Sequence, residues 1–201
     1  MYFGNMLDLK QIKHYLKFFS DLDLSDIQDL MKIHRERHLL PGDCYIQEGS
    51  TAKRVAFIKK GLIRAYFINE KGEEISFLLR WENQFVASHD IIILNRPSRF
   101  VYEAMEACEL LELDYEALQK VIAKNSKLEK YRKDFLLRML SESLEHLESF
   151  VLLSPEERYL EFVKSKPNIL NRVPNKYIAS ILGITPVSLS RIRKRIAAKK
   201  H

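Results

Sequence analysis

Apolar residues between positions 7 and 35 recur at three- and four-residue steps: Leu9, Ile12, Leu16 and Phe19, then Ile27, Leu30 and Met31. That is the period of an amphipathic helix. From about 36 to 113 the pattern shortens. Apolar runs rich in β-branched and aromatic residues alternate with the turn signals LLPGD, EGST, KKG, NEKGEE and LNRPS. Ile75, Phe77 and Leu79 alternate with Glu74, Ser76 and Arg80, which predicts a strand with one buried face. INEKGEEI reads as a hairpin loop, with Gly72 at the position needing a positive φ. Seven or eight such strands predict a sandwich or jelly roll.

Helical periodicity returns near 115 and strengthens after Ser126, where Ser126 and Glu129 have the spacing of a capping box. Leu128, Tyr131, Phe135, Met139, Leu140, Leu144, Leu147 and Val151 then hold one stripe. A small barrel cannot cover a seam of that length, so a second copy of the same helix is the expected partner. At LSPEER the pattern restarts: Ser154 caps, Pro155 takes the first helical position and Glu157 closes the box. The expected organisation is therefore a β-domain over 1–114, a long dimerisation helix over 115–152 and a small helical domain over 153–201.

The last segment contains NKYIASILG followed by ITPVSLSRIRKRI. Gly183 suits the left-handed turn after one short helix; Thr185 caps the next, and Pro186 starts it. A rotation of 100° per residue puts Leu189, Ile192 and Ile196 on an inward face, and Val187, Ser190, Arg191 and Lys194 on the opposite one. This is the layout of a helix-turn-helix. Arg191 can fork onto guanine, Val187 can meet a thymine methyl, and small Ser190 lets the backbone approach. Ser188, Arg195, Lys199 and Lys200 are placed for phosphates.

Charge supports this reading. Residues 155–201 carry 11 Lys and Arg against 3 Asp and Glu, a net of +8, whereas the whole chain is +6. A basic end on a near-neutral body is the footprint of a polyanion partner, here double-stranded DNA. No apolar run approaches the roughly 20 residues needed to span a bilayer, and the N-terminal stretch lacks the apolar region of a signal peptide. A cytoplasmic protein with no membrane contact is expected. Two cysteines, Cys44 and Cys108, are too few for a metal cluster and are expected to be unpaired thiols. His34, His38 and His89 are scattered, so no metal, cofactor or enzymatic activity is expected.

In order and spacing, LPGD (40–43), EGS (48–50), VAFIKKGLIRAYF (55–67), KGEE (71–74), YEAMEACELLELDYEAL (102–118) and IASILGITPVSLSRIRK resemble the Crp/Fnr family of bacterial transcription regulators over nearly the whole chain. The resemblance implies an α+β protein. Its parts would be an N-terminal jelly-roll (double-stranded β-helix) sensor, a long dimer helix and a C-terminal helix-turn-helix domain of winged-helix type. Few residues follow the recognition helix, so the wing is short or absent. The implied partners are double-stranded DNA, a second copy of the chain, RNA polymerase and a small-molecule effector of unknown identity.

The ligand cassette departs from the family pattern. Cyclic-nucleotide-binding members carry Gly-Glu, whose Glu holds the ribose, and an Arg that holds the cyclic phosphate, followed by a small hydroxyl residue and Ala. FVASHDIIILNRPSRF places Ala87 and Ser88 at Gly-Glu, and Ser98, Arg99 and Phe100 at Arg-Ser-Ala. Ser88, Arg96, Ser98 and Arg99 thus line the candidate pocket, yet the cation is displaced by one residue, which in a strand reverses its face. The sensor is expected not to bind cyclic AMP. The competing reading is a cyclic-nucleotide-sensing module whose basic end binds a protein or RNA.

Overall fold

The computed structural model describes residues 22, 24–166 and 168–199. Of the first expected helix, residues 7–21 lie outside the described residues. Its later part is α1 (Leu24–Ile33), which gives way to strand at His34. Eight strands follow: β1 (His34–Leu39), β2 (Cys44–Ile46), β3 (Arg54–Lys60), β4 (Ile63–Ile68), β5 (Glu74–Arg80), β6 (Phe85–Val86), β7 (Val101–Ala104) and β8 (Cys108–Asp114). A short helix, α2 (His89–Ile92), interrupts them after β6. They form two four-stranded antiparallel sheets, ordered β1-β8-β3-β6 and β2-β7-β4-β5. Leu39, Tyr45, Ile46, Ile58, Ile63, Tyr102 and Leu110 are among the residues that fill the space between the sheets. The architecture is the expected jelly roll.

The β4–β5 hairpin turns as its sequence predicts, with Gly72 at φ +78° and the Asn69 side chain accepting from the amides of Lys71 (3.0 Å) and Glu73 (2.9 Å). The simple alternation expected for β5 does not hold. Ala65 pairs with Leu78 and Tyr66 with Ser76, so Phe77 is an extra residue in the ladder. Such a bulge turns two successive side chains toward one side. Phe77 and Leu78 both pack on the roll interior, whereas Ser76 and Leu79 are buried on the other face. That other face is not solvent: the C-terminal helices lie on it.

Residues 115–152 form two helices rather than one. The first, α3 (Tyr115–Ile122), is separated by a short break from α4 (Ser126–Leu152). Asn125, not Ser126, caps α4, its side chain accepting from the amides of Lys127 and Leu128. The C-terminal helices are α5 (Pro155–Ser165), α6 (Asn175–Ile181) and α7 (Pro186–Ala198). Ser154 and Glu157 form the expected capping box on α5, with Pro155 in its first turn. Turns rather than strands occupy residues 168–173 between α5 and α6, and no strand follows α7 among the described residues.

Candidate nucleic-acid interface and sensor cassette

The second helix of the pair is built as its sequence requires. Thr185 Oγ1 accepts from the Ser188 amide at 3.1 Å, and Pro186 begins α7 where its missing N–H leaves nothing unpaired. Gly183 adopts φ +66° in the turn. Leu189 and Ile192 are buried and Ile196 partly so, fixing the rotation of the helix. Val187, 60% exposed, then shares the outward side with the exposed Ser190, Arg191 and Lys194. Arg191 and Lys194 hold no ion pair among the described residues.

The other polar residues of α7 are engaged. The Ser188 hydroxyl lies 2.9 Å from the capping oxygen of Thr185. Arg195 and Lys199 both reach Glu156 on α5, at 3.2 and 2.9 Å. The Lys199 ammonium holds the Glu156 carboxyl below the ordinary glutamate range. Arg193 is an internal strut, donating to Tyr159 Oη at 3.0 Å and to Asn175 Oδ1 at 2.5 Å.

On α4 the expected seam divides in two. Leu128 and Tyr131 belong to a cluster with Leu22 and Ile122, and the Phe135 ring meets Phe85 edge-on at 5.2 Å. The C-terminal part remains open: Leu137, Leu140, Leu144, Leu147 and Val151, at alternating steps of three and four, are all exposed in the single chain. Met139 is half-buried. Sequence reasoning missed Leu137, whose place in a 3–4 repeat was the available signal.

The cassette is organised around Asp90, which sequence reasoning also missed. Its side chain is fully buried at the start of α2. Arg96 donates to it through Nε at 2.9 Å, and Arg99 through its backbone amide and Nε, both at 3.0 Å. Burial pushes the carboxyl up, but these donors outweigh it and hold Asp90 well below its usual range. Both guanidinium groups lean outward, with side chains 46% and 58% exposed. Where the resemblance places a ribose acceptor and a phosphate cation, the buried hydroxyls of Ser88 and Ser98 bond each other at 3.0 Å. The Ser98 hydroxyl in turn donates to the Phe100 carbonyl at 2.9 Å. The Phe100 ring sits 4.5 Å from Phe77 and 5.3 Å from His89. Burial holds His89 below the ordinary histidine range, so a neutral imidazole faces that ring at pH 7.

Residues 36–125 match the cyclic nucleotide-binding domain family. The rice potassium channel KOR1 is 26% identical over 108 residues, which are 53% of this chain but only 12% of that protein. Most of the channel's length therefore has no counterpart here. Among solved structures, FixK2 from Bradyrhizobium japonicum superposes with a TM-score of 0.71 at 15% identity, covering 84% of this chain and 86% of that one. A protein of Eubacterium rectale described as a crp/fnr-family transcriptional regulator does so with a TM-score of 0.69 at 16% identity, over 92% and 88%. The chain has the Crp/Fnr fold. The Crp/Fnr likeness runs through both the roll and the C-terminal helices, whereas the channel match covers about half the chain. No described helix is long and apolar enough to cross a membrane.

Proposed function

We propose that the chain is a DNA-binding transcriptional regulator of the Crp/Fnr type, acting in the cytoplasm as a homodimer on inverted-repeat DNA. The observation that carries this is the outward face of α7. Val187, Ser190, Arg191 and Lys194 project together from a helix held by Leu189 and Ile192, and Arg191 and Lys194 hold no ion pair among the described residues. A helix of this shape enters the major groove with its first turns against the base edges. The open Leu137–Val151 stripe supplies the dimer, since burying five such side chains against their symmetry mates removes a large apolar surface from water. A two-fold dimer reads half-sites about one helical turn apart.

The same reading assigns the roll to an effector other than cyclic AMP. A cyclic phosphate brought out of water needs an available cation. Arg96 and Arg99 are committed to Asp90, and the Ser88–Ser98 pair offers neither the carboxylate nor the guanidinium. Selection from a random duplex library, with sedimentation of the free protein, tests the proposal. The expected outcome is an inverted repeat and a dimer that Leu144→Asp splits. A monomer at micromolar concentration, or retention of single half-sites only, refutes it.

A further inference from the structure

Domains joined in one chain move against each other unless the surface between them is large and apolar. Here it is apolar and doubly clasped. Leu62, Leu79, Trp81 and Met105 of the roll belong to the same cluster as Tyr159, Phe162, Ile178 and Leu189 of the C-terminal helices. Two arginines cross this surface in opposite directions.

Arg64, on β4 of the roll and 1% exposed, has its guanidinium 3.9 Å from the Tyr66 ring and 3.8 Å from the ring of Tyr177 on α6. Glu74 at 2.8 Å and Glu103 at 3.3 Å balance its charge. Arg172, from the turns before α6, reaches the other way. It grips Glu82 with two bonds of 3.0 and 2.7 Å, and Glu106 with two of 3.3 and 2.5 Å. Glu82 is itself tied to the roll by the Gly61 amide at 2.9 Å. Between the clasps, the Ser180 hydroxyl donates to the Ser76 carbonyl at 2.9 Å.

The dimer helix supplies a third fixed point. A Cβ at Gly183, in the turn between α6 and α7, would lie 2.6 Å from the Phe150 ring of α4. Arg158 stacks on that ring at 4.8 Å and donates to the carbonyls of Leu153 (2.7 Å) and Leu182 (3.2 Å). The turn before α7 is thus registered against the helix that carries the dimer seam. The two arginine clasps stop the helical module from pivoting about that point.

We propose that Arg172 and the Arg64–Tyr177 stack are positioning residues for DNA recognition. They fix the angle of α7 relative to the dimer axis and so set the half-site spacing that the protein accepts. This rests on the DNA reading above. It adds that the spacing is held by the roll, through residues that touch no DNA.

The test uses the full chain and duplexes built from the selected site, with the spacer lengthened or shortened by one base pair, beside a single half-site. For the wild type, each such change should cost about tenfold in affinity, the equivalent of one lost base contact per site. For Arg172→Ala the penalty should fall to within about threefold while single half-site affinity stays unchanged, since the reading face is intact. Trp81, the chain's one tryptophan, packs in the interdomain cluster and reports docking without DNA. Its emission should move to the red in the variant. Should Arg172→Ala fail to fold, Glu106→Gln keeps the grip on Glu82 and should give the same trend at smaller amplitude.

A variant spacing profile as narrow as the wild type's, or equal losses on half-site and paired duplexes, overturns the positioning role while leaving the DNA reading in place. Wild-type protein that retains no duplex at all overturns the DNA reading, and this inference with it.

Discussion

In the cassette, Arg96 and Arg99 surround the buried Asp90; on α7, Arg191 and Lys194 project from the protein with no ion pair among the described residues. Each region carries two basic side chains. In the first, the carboxylate inside the fold has already taken the role an anionic ligand would play. In the second, Leu189, Ile192 and Ile196 turn inward, and no carboxylate among the described residues pairs with Arg191 or Lys194 in place of an external polyanion. Counting basic residues would rank the regions alike; asking what each guanidinium already touches separates them.

The largest effect expected from breaking this contrast is on stability. Arg96→Ala with Arg99→Ala leaves Asp90 without a counter-charge and should lower the midpoint of urea unfolding. The sign with pH follows from the lowered carboxyl. The stabilisation from Asp90 is fully present above the ordinary aspartate range and is lost as pH falls through its depressed folded value. The double variant should keep only the part of that acid-sensitive component that the backbone amide of residue 99 supplies. An unchanged unfolding midpoint would show that water, not the arginines, satisfies Asp90.

An intermediate effect is expected on the open side. Arg191→Ala should weaken the selected site by about 1–3 kcal/mol and relax one base position per half-site, as read by repeating the selection with the variant. An unchanged preference would remove Arg191 from the groove.

The smallest effect sharpens the comparison, because Arg195 and Lys199 fall between the two regimes. Glu156 holds both at the surface, so a phosphate must displace it. Glu156→Gln should raise affinity for all duplexes alike by a few-fold and steepen the salt dependence, by up to about two counterions per chain. Because the Glu156 carboxyl is held below the ordinary range, the difference from wild type should be constant between about pH 6 and 8. A change confined to one sequence would mean that Glu156 orients these side chains rather than competing for them.

Much of this was legible in the chain, for local reasons. Thr185, Pro186, Ser154 and Gly72 act within a few residues of themselves, so caps and turns could be read directly. The rotation of α7 followed from three apolar positions. The error at Asn125 was also local: two adjacent residues can each cap, and the fold used the first. What stayed hidden depends on distant neighbours. Ser76 reads as a solvent-facing strand residue until α6 covers it, and Arg64 reads as a surface charge until Tyr177 closes over it. Asp90 lies in an unremarkable stretch, and only the loop that returns Arg96 and Arg99 gives it meaning. The displaced cassette arginine was visible as a register problem, but its new partner was not.

The extra residue at Phe77 makes one strand serve two interiors, because Phe77 and Leu78 face the roll while Ser76 and Leu79 face the helices. The polypeptide therefore cannot be parted into interchangeable cassettes at the obvious seam near residue 153. A chimera that grafts residues 153–201 onto a foreign roll would leave Tyr177 without Arg64 and Leu189 without Leu79 in its cluster. For such a graft to read DNA, it must bring the β4–β5 hairpin with it, bulge included.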